Sequence, residues 1–98
     1  MSSQKEEKKE YIVGICNTDA DGVSIYRVVG TQREVMHYLL DAVKEDKVNA
    51  REAWEYGSTR MKDIECRFDG SLYAYGCYSD YHIDYEATPV ENISVVTL

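Results

Sequence analysis

IECRFDGSLYAYGCYSDYHIDYE, residues 64–86, contains the two chain reversals that decide the fold. Ile64, Cys66 and Phe68 alternate with Glu65, Arg67 and Asp69, the period of a half-buried strand with the apolar set inward. Asp69-Gly70 is a tight-turn pair, so the chain returns through residues 72–78 as a hairpin. A two-residue turn at Ser79-Asp80 sends it back again through residues 81–86. That turn sets a register: Cys77 faces His82, Tyr75 faces Asp84 and Tyr73 faces Glu86. Successive side chains point to opposite faces of a strand. Leu72, Ala74, Gly76, Ile83 and Tyr85 therefore form the core side, and Tyr73, Tyr75, Cys77, His82, Asp84 and Glu86 form an outer ladder of phenols and carboxylates.

Working outward, the β-branched run at Tyr11–Cys16 predicts a strand, and the turn-rich NTDADG at 17–22 returns it through Val23–Val29. Val23, Ile25 and Val28 are the expected buried positions of that second strand. Thr31 and Glu34 have capping-box spacing at the start of a helix over Gln32–Asp46, whose apolar stripe is Val35, Met36, Leu39, Leu40 and Val43. Asn49 and Glu52 repeat the cap spacing, so a short second helix carrying Ala53, Trp54 and Tyr56 is expected before Gly57. Pro89 breaks the last hairpin, and the β-prone Ile93–Leu98 is a candidate final strand. Residues 1–10 are charged and unpatterned and read as a mobile tail, leaving 11–98 as one domain. The fold class is α+β: an antiparallel sheet of about five strands, in two hairpin or meander units, packed by one main amphipathic helix and the short second one.

Charge is unevenly placed. Residues 68–98 contain no lysine or arginine but five carboxylates and five of the nine tyrosines, and they hold −5 of the net −7. A nucleic-acid binder needs a basic patch and a membrane-surface protein must tolerate anionic lipid, so both roles are disfavoured. No apolar run approaches the ~20 residues of a membrane span. Nothing in residues 1–10 has the apolar segment of a secretory leader. The three scattered cysteines, 16, 66 and 77, fit reduced thiols better than a disulfide framework, which places the chain in the cytoplasm.

Three motifs bear on chemistry. Asn17, Asp19, Asp21 and Gly22 match the first half of a calcium loop, but the glutamate required at its twelfth position falls on Val28, and the same residues make an ordinary hairpin tip. Cys77 and His82, with Asp84 two residues on, have the proximity of a thiol nucleophile and its base; no oxyanion site or pocket accompanies them. The cysteines and histidines lack the paired spacing of a zinc module. No metal or cofactor is implied, and the chain reads as non-enzymatic.

What remains is surface character. Tyrosine brings contact area with few rotors to freeze, and carboxylates bring negative potential. Tyr73, Tyr75, Tyr78, Asp80, His82, Asp84 and Glu86 are the expected partner-binding residues, and the expected partner is a basic protein surface, such as that of a nuclease or other nucleic-acid-binding protein. An inhibitor or adaptor of this kind has the character of the small acidic anti-restriction and anti-CRISPR proteins of phages and mobile elements, although no family motif is present. The alternatives are a ligand-binding or regulatory module with tyrosines lining a groove between helix and sheet, a homodimer built on the exposed sheet, and, more remotely, a Cys-His enzyme. If the ladder is free, reversing Asp84 and Glu86 to lysine should cost partner binding and not stability.

Overall fold

The computed structural model describes residues 7–18, 22–45, 56–78 and 81–98, with the side chains of Tyr56 and Tyr78 excepted. Strand β1 spans Lys9–Asn17, β2 Ser24–Gly30, β3 Tyr56–Gly57, β4 Glu65–Cys66, β5 Leu72–Tyr78 and β6 Tyr81–Pro89; helix α1 spans Gln32–Glu45. The strands pair in the order β2-β1-β6-β5-β3, with β4 also on β5, and every pairing is antiparallel. Among the described residues one α-helix lies on one face of this sheet, and the architecture is α+β. No helix of the described residues is long and apolar enough to cross a membrane.

The helix starts where its cap chemistry dictates. Thr31 Oγ1 accepts the Glu34 N–H at 3.1 Å, and Glu34 Oε1 accepts the Thr31 N–H at 2.9 Å, satisfying two of the donors that a helix N-terminus leaves open. Val35, Leu39, Leu40 and Val43 are buried against the sheet. They meet Tyr11 and Val13 of β1, Leu72 and Ala74 of β5, and Ile83, Tyr85 and Ala87 of β6, with Ile64 closing one end. The Tyr85 hydroxyl donates to the Ala42 carbonyl at 3.3 Å, so even the polar tip of that core ring is satisfied.

The decisive hairpins have the register read from their turns. Tyr73 faces Glu86, Tyr75 faces Asp84, Cys77 faces His82 and Tyr78 faces Tyr81. In the preceding turn Gly70 N–H donates to Arg67 O, and Arg67 N–H donates to Ser71 O, both at 2.9 Å. Gly70 has φ +89°, a conformation that disfavours any residue with a Cβ.

Several expectations change. The strand after Ile64 is only two residues long, because the chain is already turning at Arg67; Cys66 and Phe68 are exposed rather than inward. In β2 the buried side is the other one: Val23 and Ile25 are 60% and 65% exposed, while Val28 is half-buried against the core. Gly14 lies opposite Ile25, on the face away from α1, and alternation carries Val28 to the helix side. Residues 93–98 form no strand; they follow the 3-10 turn Val90–Asn92 as exposed chain. Finally β1 begins at Lys9, since Lys9 and Glu10 pair with Gly30 and Val29. Most of the expected second helix lies outside the described residues, but Tyr56 and Gly57 are strand, paired with Cys77 and Gly76. The middle of the 17–22 turn also lies outside them.

Candidate docking face of the sheet

Because α1 covers one face, the outward residues of β1, β6, β5 and β4 line up on the other. Gly14, Glu86, Tyr73 and Glu65 form one row across four strands, and Cys16, Asp84 and Tyr75 form the next. The Tyr73 and Tyr75 rings stack at 6.0 Å between centroids with 11° between planes, and the His82 ring continues the stack 6.1 Å from Tyr75. Offset stacking at such spacing is favourable and fixes the rings as a platform. Both tyrosines are half-buried, His82 and Glu86 are exposed and Asp84 is intermediate.

The carboxylates on this face are already engaged. The Tyr73 hydroxyl donates to Asp84 Oδ1, and His82 Nε2 lies 2.9 Å from that same oxygen. Arg67 swings over from the β4–β5 turn. Its Nη1 donates to Glu86 Oε2 at 2.8 Å, its Nε to Glu65 Oε2 at 3.2 Å, and its Cζ stands 5.3 Å from the Tyr73 centroid. A guanidinium over a phenol face, bridged by two carboxylates, combines cation–π attraction with charge-assisted hydrogen bonds. The ladder is therefore not free of cations: Arg67, one residue ahead of the cation-free stretch, is folded back into it.

Asp84 is also a structural acceptor, so the double reversal to lysine would remove the Tyr73 hydrogen bond and cannot be neutral for stability. Tyr78's side chain and Asp80 lie outside what is described. Cys77 stands opposite His82 as expected, with the imidazole held between Asp84 and Tyr75. Among the described residues, no group of three or more His, Cys, Asp and Glu side chains is arranged to hold a metal ion.

Burial, and then the hydrogen bond to Asp84, pushes the Tyr73 phenol well above the ordinary tyrosine range. The unfolded chain loses this proton near pH ~10 while the folded chain keeps it, so the contribution is whole below pH ~10 and is lost as pH rises. In an alkaline titration followed at 295 nm, Tyr73→Phe should lose part of the parent's late-ionising absorbance. Unfolding midpoints should fall less steeply above pH ~10 in Tyr73→Phe than in the parent; equal slopes would mean that the Tyr73 phenol is not held protonated by the fold.

Sequence reading missed two features here. Glu65 and Arg67 were visible only as the outward half of an alternating strand, with nothing to show that Arg67 would reach Glu86. The second is a groove of ≈ 400 Å³ beside the tyrosine platform, walled by Ile12, Val23, Ile25 and Ile93 and flanked by Asp84 and Glu86. Its signal was the surplus of apolar residues in β2, which both faces of the strand share. On the opposite side of the sheet a shallower cleft of ≈ 280 Å³ is lined by Tyr26, Tyr38 and Tyr85, the last of them from the C-terminal hairpin. In comparisons with family models, curated proteins and solved structures, nothing matches the chain.

Proposed function

We propose that this is a non-enzymatic binding protein of the cytoplasm, an inhibitor or adaptor whose outer sheet face occupies a basic surface of a protein partner. One observation carries the reading: the face opposite α1 presents stacked Tyr73 and Tyr75 together with Glu65, Asp84 and Glu86, and among the described residues it holds this chain's own Arg67 as a cation. Arg67 displays the recognition chemistry. A partner's arginine could share Glu65 and Glu86 with it or replace it, and the phenol faces supply the apolar contact that charge alone lacks.

The type of partner follows from the sign of the charge. Basic protein surfaces that bind carboxylates in this way are commonly those that hold nucleic-acid phosphates, so a nuclease or another nucleic-acid-binding protein is the proposed target, and competition is the mechanism. This is the manner of phage and mobile-element anti-defence proteins, and the analogy is one of character only.

The test is affinity capture from cell extract on the immobilised chain, washed at low and high ionic strength. The expected result is a basic protein retained at about 50 mM salt and released by about 0.5 M, because opposite charges at a wet interface are screened within a Debye length of ~4–14 Å over that range. A partner that is acidic, or whose retention is indifferent to salt, contradicts the proposal.

A further inference from the structure

Gly14 stands in the middle of β1, at a position where the fold gives no reason for glycine. It is not among the positive-φ glycines of the described residues, and a Cβ built on it would meet only Val23 Cγ1, at 3.9 Å. Glycine inside a strand weakens it, and one that is neither bulged nor turned commonly marks a close approach by another molecule. Here the space above Gly14 is the floor of the ≈ 400 Å³ groove, whose walls are aliphatic and whose flank carries Asp84 and Glu86.

We propose that this groove takes a bulky aliphatic side chain of the partner, presented on an extended segment next to an arginine or lysine that lies on Glu86. The inference rests on the outer face being the docking surface and adds what that surface selects. Two features fix the occupant. Ile12, Val23, Ile25 and Ile93 leave an apolar hollow that water fills poorly, so an aliphatic group gains by entering it. Gly14 lies directly opposite Glu86 across β1 and β6, so the hollow and the anionic site are one strand apart. Strand spacing is about 4.8 Å, and side chains two apart in an extended segment share a face and stand ~6.8 Å apart, so one segment reaches both sites. A purely cationic segment leaves the hollow empty, and a purely apolar one brings no further cation to Asp84 and Glu86.

The cysteines provide the readout. Cys16 lines the groove and is exposed; Cys66, also exposed, sits on β4 away from it. Three six-residue peptides serve as probes, each with serine at every second position so that the other three side chains share one face of the extended segment: the arginine–leucine peptide carries arginine, leucine and arginine there, the arginine–serine peptide arginine, serine and arginine, and the glutamate–leucine peptide glutamate, leucine and glutamate. The arginine–leucine peptide should bind on the order of tenfold more tightly than arginine–serine, the worth of part of a buried leucine. It should slow iodoacetamide labelling of Cys16 and leave Cys66 unaffected. Gly14→Val fills the floor without a backbone clash and should bring the arginine–leucine affinity down to the arginine–serine value. Ile25→Ser, which removes a wall at an exposed position, should do the same if Gly14→Val fails to fold.

Equal binding of the two arginine peptides, with no effect of either substitution, overturns the groove while the docking face stands. Binding of neither arginine peptide overturns both. Tight binding of the glutamate–leucine peptide overturns the pairing with a cation. Cys16 that labels far more slowly than Cys66 in the free chain would mean that this chain's own residues fill the groove, and it too overturns the proposal.

Discussion

Glu86→Lys is expected to fold like the parent and to lose its partner by about three orders of magnitude in affinity. In the parent, Glu86 lies at the meeting point of the docking face: Tyr73 and Gly14 are its cross-strand neighbours, Arg67 is its ion-pair partner, and it flanks the apolar groove. An ammonium at this position, beside Arg67, turns the anionic site into a cationic one. Breaking a charge contact at an interface costs roughly 2–5 kcal/mol, and a repulsive replacement belongs at the upper part of that range. Stability is another matter. Glu86 and Arg67 are both well solvated, with side chains 46% and 36% exposed, and exposed ion pairs are worth about 0–1 kcal/mol. Measured side by side, the variant should therefore show a thermal midpoint within a few degrees of the parent and little partner binding. Undiminished affinity would move the interface elsewhere, to the exposed side of α1 or the edge strand β2.

Leu39→Ala should have the largest effect on folding. Leu39 has no exposed surface and lies in the centre of α1, packed in the cluster that joins β1, β5 and β6. Truncating a fully buried leucine removes its transfer free energy and leaves a cavity, a loss of about 3 kcal/mol. A domain of this size has roughly 5–15 kcal/mol to lose, so the thermal midpoint should fall by about 15 °C. Phe68→Ser is the contrasting substitution: an aromatic that alternation would place inside is fully solvated on the turn, and its loss should change stability by no more than about 0.5 kcal/mol. If Phe68→Ser were the costly change and Leu39→Ala the mild one, the layer arrangement would be wrong.

The contrast between these two residues also shows how far the sequence could be read. The helix was legible because two independent signals agreed: the Thr31 and Glu34 cap and the stripe from Val35 to Val43 both point to one start and one buried side. The β5–β6 register was legible because a two-residue turn leaves no freedom, and Leu72, Ala74, Ile83 and Tyr85 then share a side by parity alone. Parity failed in β2, where Val23, Ile25 and Val29 compete with Tyr26 and Val28, and only the placement of α1 breaks the tie. It failed again at Phe68, since a strand pattern does not reveal where the chain starts to turn. Residues 93–98 have strand propensity but form no strand pairing, and propensity without a partner builds no sheet.

The candidate site was legible as a set of residues and not as a set of charges. Tyr73, Tyr75, His82, Asp84 and Glu86 do share one face. Their mutual engagement was hidden, because it depends on a diagonal reach from Tyr73 to Asp84 and on Arg67 folding across a turn, neither of which is encoded by spacing. The groove was hidden for a related reason: Gly14, Cys16 and Ile25 become neighbours of Glu86 only once β6 is inserted between β1 and β5.

The most direct measurement is amide hydrogen exchange on the chain alone and on the complex recovered by low-salt capture. Docking through the outer sheet face predicts slowed exchange in the peptides covering residues 12–16, 73–77 and 82–88, with α1 unchanged. Protection confined to Gln32–Glu45, with those strands exchanging as they do in the free chain, would contradict it.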